Sequence, residues 1–267
     1  MADYRLGVLA LGDSITNGGG ELQWGVALQS WALWVARGLG LPFTTYAVDG
    51  ARASDVAEQQ VAALRTRDAR PEARYDLGCL YVGVNDVRAP DYDGEAFGRH
   101  LTTARDALAE RCDRVLVTTI PRELGRPRAP RANIEDANRR IEECDALLLD
   151  LRDFGARNHV MADRVHPTAF GQVAIAERAL DLLAGAGFTV RVRPSTLIAP
   201  AERTRWRTLR GDATYAYRAF KQAAGGALRV GLVAAARSGS SPTAAPGTPA
   251  SPARSTRPPA SPPGRAR

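Results

Sequence analysis

Short apolar runs recur five times through the first 185 residues, and each is separated from the next by a longer segment with helical spacing. The runs span residues 6–11, 43–48, 76–82, 114–120 and 146–150. The helical segments span residues 26–39, 54–64, 94–110, 133–144 and 168–183. Strand periods that alternate with helix periods leave few topologies open. Parallel strands need long crossovers and helices fill them, so the expected fold is α/β, a five-stranded parallel sheet covered on both faces. The last helix puts Val173, Ala176, Leu180 and Leu183 on one side, with Thr168 placed as its N-cap.

Beyond this repeat the chain changes character, and charge shows where. Residues 1–185 hold 22 basic and 27 acidic side chains, a net −5, whereas residues 186–267 hold 14 and 2, a net +12. The +7 of the whole chain therefore belongs to an appendage. Three domains are expected: 1–185 as the folded α/β unit, 186–237 as a basic extension and 238–267 as a tail. Within the extension, residues 201–236 read as an amphipathic helix. Trp206, Leu209, Ala213, Tyr217 and Phe220 lie on one side, and Arg203, Arg207, Arg210, Arg218 and Lys221 beside it. Two readings stand for this helix: docking of its aromatic side on the α/β unit, or contact with an anionic membrane surface or acidic partner. The Ser/Pro/Ala/Gly/Arg tail has too little apolar surface to offset ordering entropy and reads as disordered. No nucleic-acid partner is expected, and the oligomeric state is left open.

No run of 18 apolar residues exists, and the opening residues lack the charged and apolar regions of a signal peptide. Cys79, Cys112 and Cys144 form no C-x-x-C pair and read as reduced, packed thiols; a cytoplasmic location is the expectation.

In an open parallel sheet the ligand site lies beyond the carboxyl ends of the strands. Four polar signatures fall there: Gly12-Asp13-Ser14-Ile15-Thr16, Asp49-Gly50-Ala51, Gly83-Val84-Asn85-Asp86, and Asp163-Arg164-Val165-His166-Pro167 before the last helix. Together they hold what acyl transfer requires. A serine hydroxyl is a weak nucleophile until a base takes its proton, and histidine is the usual base near neutral pH. An aspartate on the other imidazole nitrogen fixes the tautomer and steadies the imidazolium. The tetrahedral oxyanion needs preorganised donors, each worth roughly 3–4 kcal/mol. The N–H groups of Ser14 and Gly50 and the side-chain amide of Asn85 are candidates, Gly50 because an amide without a neighbouring Cβ approaches substrate closely. Ser14, Asp163 and His166 are the candidate catalytic residues.

These four segments resemble, in order, the blocks of the GDSL/SGNH hydrolase family: the Gly-Asp-Ser nucleophile block, the oxyanion glycine Gly50, the Gly-x-Asn-Asp block and the Asp-x-x-His block. The family often has Asn shortly before that glycine, where this chain has Val48 and Asp49. The resemblance covers roughly residues 5–184. It implies a three-layer α/β/α, flavodoxin-like fold and ester hydrolysis without a cofactor, with small acyl esters as substrates.

Other readings are weighed beside this one. Carbohydrate or cell-envelope deacetylation, or acyl transfer, would use the same residues, and a non-catalytic binding module would keep the fold. Asp13 reads as a structural residue of the nucleophile turn, and Asp86 as part of an Asx turn. His100 reads as a solvated helix residue and His159 as a loop residue that could line the cleft. Trp24 is a candidate wall of the acyl pocket, Trp31 and Trp34 core residues, and Gly18-Gly19-Gly20 a mobile stretch. No metal motif (H-E-x-x-H, paired cysteines, an Asp-rich loop) or phosphate loop occurs.

Overall fold

The computed structural model describes residues 6–21, 26–67, 74–124, 129–156 and 158–198, with Ala213, Ala216, Tyr217 and Phe220. Its centre is β1 (Val8–Gly12), buried along all five residues. On one side β1 pairs with the short edge strand β2 (Phe43–Thr45), on the other with β3 (Tyr75–Tyr81). The strands β4 (Cys112–Thr118) and β5 (Leu147–Leu149) follow outward. All pairs are parallel, in the order β2-β1-β3-β4-β5. The chain runs outward from β1 to β2, then returns past β1 to β3. The strand order therefore switches beside β1 and β3, where Gly12 lies level with Tyr81, and such folds open a ligand crevice beyond the carboxyl ends of the strands there.

Helices cover both faces. A single turn, α1 (Ser14–Asn17), follows β1, and α2 (Trp31–Leu39) follows it. After β2 come α3 (Ala53–Asp55), one π-helical turn (Val56–Gln60) and α4 (Val61–Arg67). The helix α5 (Gly94–Arg111) packs on β3 and β4 and against α6 (Arg131–Glu142). The last long helix, α7 (Ala169–Gly185), packs against α2. Trp31 and Trp34 are buried, in keeping with core positions. Burying side chains of this size stabilises the fold by roughly 1.5–3 kcal/mol each.

Local chemistry moves several boundaries from those expected. The helix expected from residue 26 begins at Trp31, because the Ser30 hydroxyl accepts the Ala32 N–H and caps it there. The strand expected over 43–48 ends at Thr45, although Tyr46 and Val48 still donate to Ala10 and Gly12 carbonyls. The helix expected over 54–64 extends to Arg67 and contains the π turn, closed by Val61 N–H to the Val56 carbonyl. Past residue 185 the chain stays on the domain. Arg191 and Val192 donate to the Gly38 carbonyl, and Arg193 pairs with Glu177 and Asp181 ahead of a 3₁₀ turn (Pro194–Leu197). The tail expected over 238–267 lies outside the described residues. So does the basic helix over 201–236, apart from Ala213, Ala216, Tyr217 and Phe220, which are helical and exposed.

The three cysteines are free thiols, and burial pushes Cys112 up to about 12, which leaves it without nucleophilic thiolate near neutral pH. Among the described residues no helix is long and apolar enough to cross a membrane.

Candidate active site

Two loops converge at the crevice. The first follows β1. Asp13 accepts the Ile15 N–H and caps α1, and Gly18 closes the turn in the left-handed region at φ 95°. Asp13 is thus structural, as its position suggested. Ser14, the first residue of this turn, sits at the mouth of the crevice. Within Gly18-Gly19-Gly20, expected as a mobile stretch, the backbone makes close contacts. Gly19 donates to the Ser14 carbonyl at 2.6 Å, and a Cβ on Gly20 would collide with the Pro167 carbonyl. Close backbone approach is what glycine provides here.

The second loop precedes α7. Its ends are held by an antiparallel bridge between Val160 and Pro167, with Met161 N–H on the His166 carbonyl and Thr168 N–H on that of His159. Arg164, at φ 55°, makes the tight turn between Asp163 and His166. Asp163 Oδ1 accepts the N–H groups of Val165 (2.9 Å) and His166 (3.1 Å), and Oδ2 lies 2.7 Å from His166 Nδ1. On the far side of the ring, His166 Nε2 lies 2.9 Å from Ser14 Oγ, across 152 residues of sequence. A carboxylate partner on Nδ1 requires the proton there, which leaves Nε2 as an acceptor facing the serine hydroxyl.

Electrostatics agree with that order. The hydrogen bond to Asp163 raises His166 above its usual range, against an opposing effect of burial. Burial alone would push Asp163 up. The donors from His166 and Val165 outweigh it and hold the carboxyl below its ordinary value.

What brings the two loops together is a buried carboxamide. Gln172 of α7, wholly buried, donates to the Ile15 and Gly19 carbonyls and accepts the Trp31 N–H at 2.8 Å. A second one, Gln60, projects from the π turn and exchanges two hydrogen bonds with Gly12, at 2.9 and 2.8 Å. It takes the place a neighbouring strand would hold beyond the end of β2. Neither residue was singled out from the sequence. The available signal was a carboxamide set among apolar helix positions: Gln60 between Val56 and Val61, Gln172 between Ala169 and Val173.

The remaining loops form a frame around Ser14. Asn17 of α1 donates to Asp49, Asn85 Nδ2 donates to the Ala51 carbonyl at 3.0 Å, and the Asp86 carboxylate accepts the Ala53 N–H. The Asx turn expected at Asp86 is thereby corrected: the carboxylate is spent on a distant N–H and knits the third loop to the second. Asn85 keeps one amide hydrogen beyond that bond. Gly50 has a φ of +78°, which favours glycine, and a Cβ there would meet no protein atom within 4 Å. His159 does not reach the Ser14–His166 pair as a partner; its ring stacks on Phe154 at 5.8 Å, with Arg178 over the Phe154 ring. His100 faces Glu58 at 4.0 Å on α5 and is half-buried rather than solvated. Trp24 lies outside the described residues.

Comparison with known proteins places this arrangement. The GDSL-like lipase/acylhydrolase family matches residues 10–174. Comparison with curated proteins finds no match. Among solved structures the chain is similar to a catalytic mutant of an acetylxylan esterase from Geobacillus stearothermophilus, at 21% identity and TM-score 0.52, covering 70% of this chain and 97% of that one. It is also similar to a lipase/acylhydrolase from Enterococcus faecalis, at 18% identity and TM-score 0.54, covering 70% and 98%. A member of the lipolytic G-D-S-L family from Veillonella parvula shares 19% identity at TM-score 0.52, covering 67% and 98%. At such identities the structures speak for the shared fold, while the family match spans most of the α/β unit, from the end of β1 into α7. The chain belongs to the GDSL-like lipase/acylhydrolase family and is an enzyme that hydrolyses ester bonds.

Proposed function

We propose that the protein is a serine carboxylic-ester hydrolase acting on small acyl esters. Ser14 Oγ attacks the ester carbonyl as His166 Nε2 takes its proton, and Asp163 holds the imidazolium that results. The oxyanion is met by the N–H groups of Ser14 and Gly50 and the spare amide hydrogen of Asn85. Collapse expels the alcohol, protonated by His166, and leaves an acyl-Ser14 ester. Water activated by the same imidazole then releases the acid. The observation that carries this reading is the unbroken chain of short contacts, 2.9 Å from Ser14 to His166 and 2.7 Å from His166 to Asp163.

A carbohydrate ester is the second reading, favoured by one feature. A cavity of ≈ 200 Å³ beside Gly50 is lined by Val48, Asp49, Gly50, Ala51, Asp55, Gln59 and Gln60. Carboxylates and carboxamides in that number suit the hydroxyls of a sugar alcohol portion. Similarity to an acetylxylan esterase points the same way.

A series of p-nitrophenyl esters from acetate to palmitate, given to the wild type and to Ser14→Ala, tests the first reading. Turnover by the wild type should be greatest for short acyl chains and should fall by at least about 10³-fold in the variant. No turnover of any ester, or an active Ser14→Ala, would reject it. Deacetylation of acetylated oligosaccharides at higher kcat/KM than of p-nitrophenyl acetate would favour the second.

A further inference from the structure

Most arginines of the described residues that are drawn into the surface have an acidic partner. Arg52 pairs with Asp91, Arg140 with Asp136 and Glu95, Arg152 with Asp150, Arg164 with Glu123 and Arg178 with Asp153. Arg88 has none among the described residues, although it is half-buried and its Nε is closed off from solvent with no hydrogen-bond partner. The obvious candidate, Asp86, is two residues away and has turned both carboxylate oxygens to the Ala53 N–H.

Its place in the fold gives the missing partner a meaning. Arg88 belongs to the turn that carries Asn85, at the carboxyl end of β3 and on the crevice side of the sheet. The turn is stiff: Val87 and Ala89 on either side are buried, Val87 N–H bonds the Gly83 carbonyl, Ala89 N–H bonds the Asp86 carbonyl, and Asn133 of α6 holds the Val87 carbonyl. The charge of the Arg88 guanidinium acts against protonation of the His166 ring, as the smallest of the influences on it. A partly desolvated guanidinium costs free energy until an anion meets it, and its planar fork fits a carboxylate best.

We infer that Arg88 binds an anionic group of the substrate, so that the preferred esters carry a carboxylate on the acyl or the alcohol portion. This rests on the acyl-ester reading of Ser14 and His166 and adds a substrate class to it.

Two matched pairs of esters separate the acyl and the alcohol source. p-Nitrophenyl hemiglutarate against p-nitrophenyl pentanoate places the charge on the acyl side, and 4-acetoxybenzoate against 4-acetoxybenzamide places it on the leaving side. The ratio of kcat/KM, charged over neutral, is measured for the wild type, Arg88→Gln and Arg88→Lys. In one pair the wild-type ratio should exceed unity by about tenfold, fall towards unity or below in Arg88→Gln and recover in part in Arg88→Lys. A wild-type ratio at or below one in both pairs overturns the inference without any variant, as does a ratio that Arg88→Gln leaves unchanged. Turnover of the neutral esters reports on the acyl-ester reading separately: if it persists without charged preference, only the role of Arg88 fails.

Discussion

Asp13, in the turn after β1, and Asp163, in the loop before α7, flank the Ser14–His166 contact with the same side chain in two unlike settings. Asp13 is 1% exposed, receives one N–H, and has its second oxygen buried without a partner. Burial pushes its carboxyl up to about 7. Asp163 is also withdrawn from solvent, but two backbone N–H groups and the His166 ring converge on it, and its carboxyl stays below the ordinary range. The number of donors aimed at a carboxylate, and not its distance from the serine, decides whether it can serve as a standing negative charge. Asp163 is equipped to balance an imidazolium, and Asp13 is equipped to cap a turn.

The largest effect is expected from Asp163→Asn. Loss of the charge and of the tautomer it selects should lower kcat by about 10³–10⁴-fold with KM little changed. A loss under tenfold would mean that Asp163 and Asp13 are equivalent after all. On the other side, Gln60→Leu leaves the Gly12 N–H without its acceptor, while the Gly12 carbonyl keeps only the Val48 N–H, and should cost about 1–3 kcal/mol in urea unfolding. An unchanged midpoint would show that the nucleophile turn holds itself.

The pH profile sharpens the contrast further. In the proposed mechanism His166 accepts the serine proton only when neutral, and its hydrogen bond to Asp163 keeps it protonated to higher pH than a free imidazole. The acid limb of kcat/KM should therefore have its midpoint above 6.5, and a midpoint below that value would contradict the geometry. The smallest effect is expected from Asp13→Asn. From 3.8 to about 7 the folded chain keeps a proton that the unfolded chain releases. The contribution of Asp13 to stability is thus full below about 3.8 and is lost as pH rises towards 7. Asparagine still accepts the Ile15 N–H through its Oδ1, so the variant should show a flatter melting temperature between pH 4 and 7. It should also equal or exceed the wild type above pH 7. An unaltered slope would show that Asp13 is ionised throughout.

Ser14, Asn85, Asp163 and His166 could be picked out beforehand because each stands just past an apolar run or just before the last helix, and chain order put all four on one edge. Gln60 and Gln172 could not, because a carboxamide inside an amphipathic helix carries no mark of which distant backbone it will satisfy. Asp86 departs from the expected Asx turn for a related reason: a local turn is the nearest partner for an aspartate, but Ala53 offers an N–H from 33 residues away. Gly50 carries a second constraint that the sequence did not show, a backbone angle of φ +78° that favours glycine.

Periodicity determined the layered α/β architecture, since apolar spacing dictates which surfaces must be buried, and the polar signatures just past the apolar runs put the candidate site on one edge of the sheet. Only the tertiary structure decided which groups touch. Contacts such as Ser14 to His166, Gln172 to Ile15 and Gln60 to Gly12 join elements far apart in the chain. Their distances follow from how α7 and the π turn dock, and no local preference encodes that.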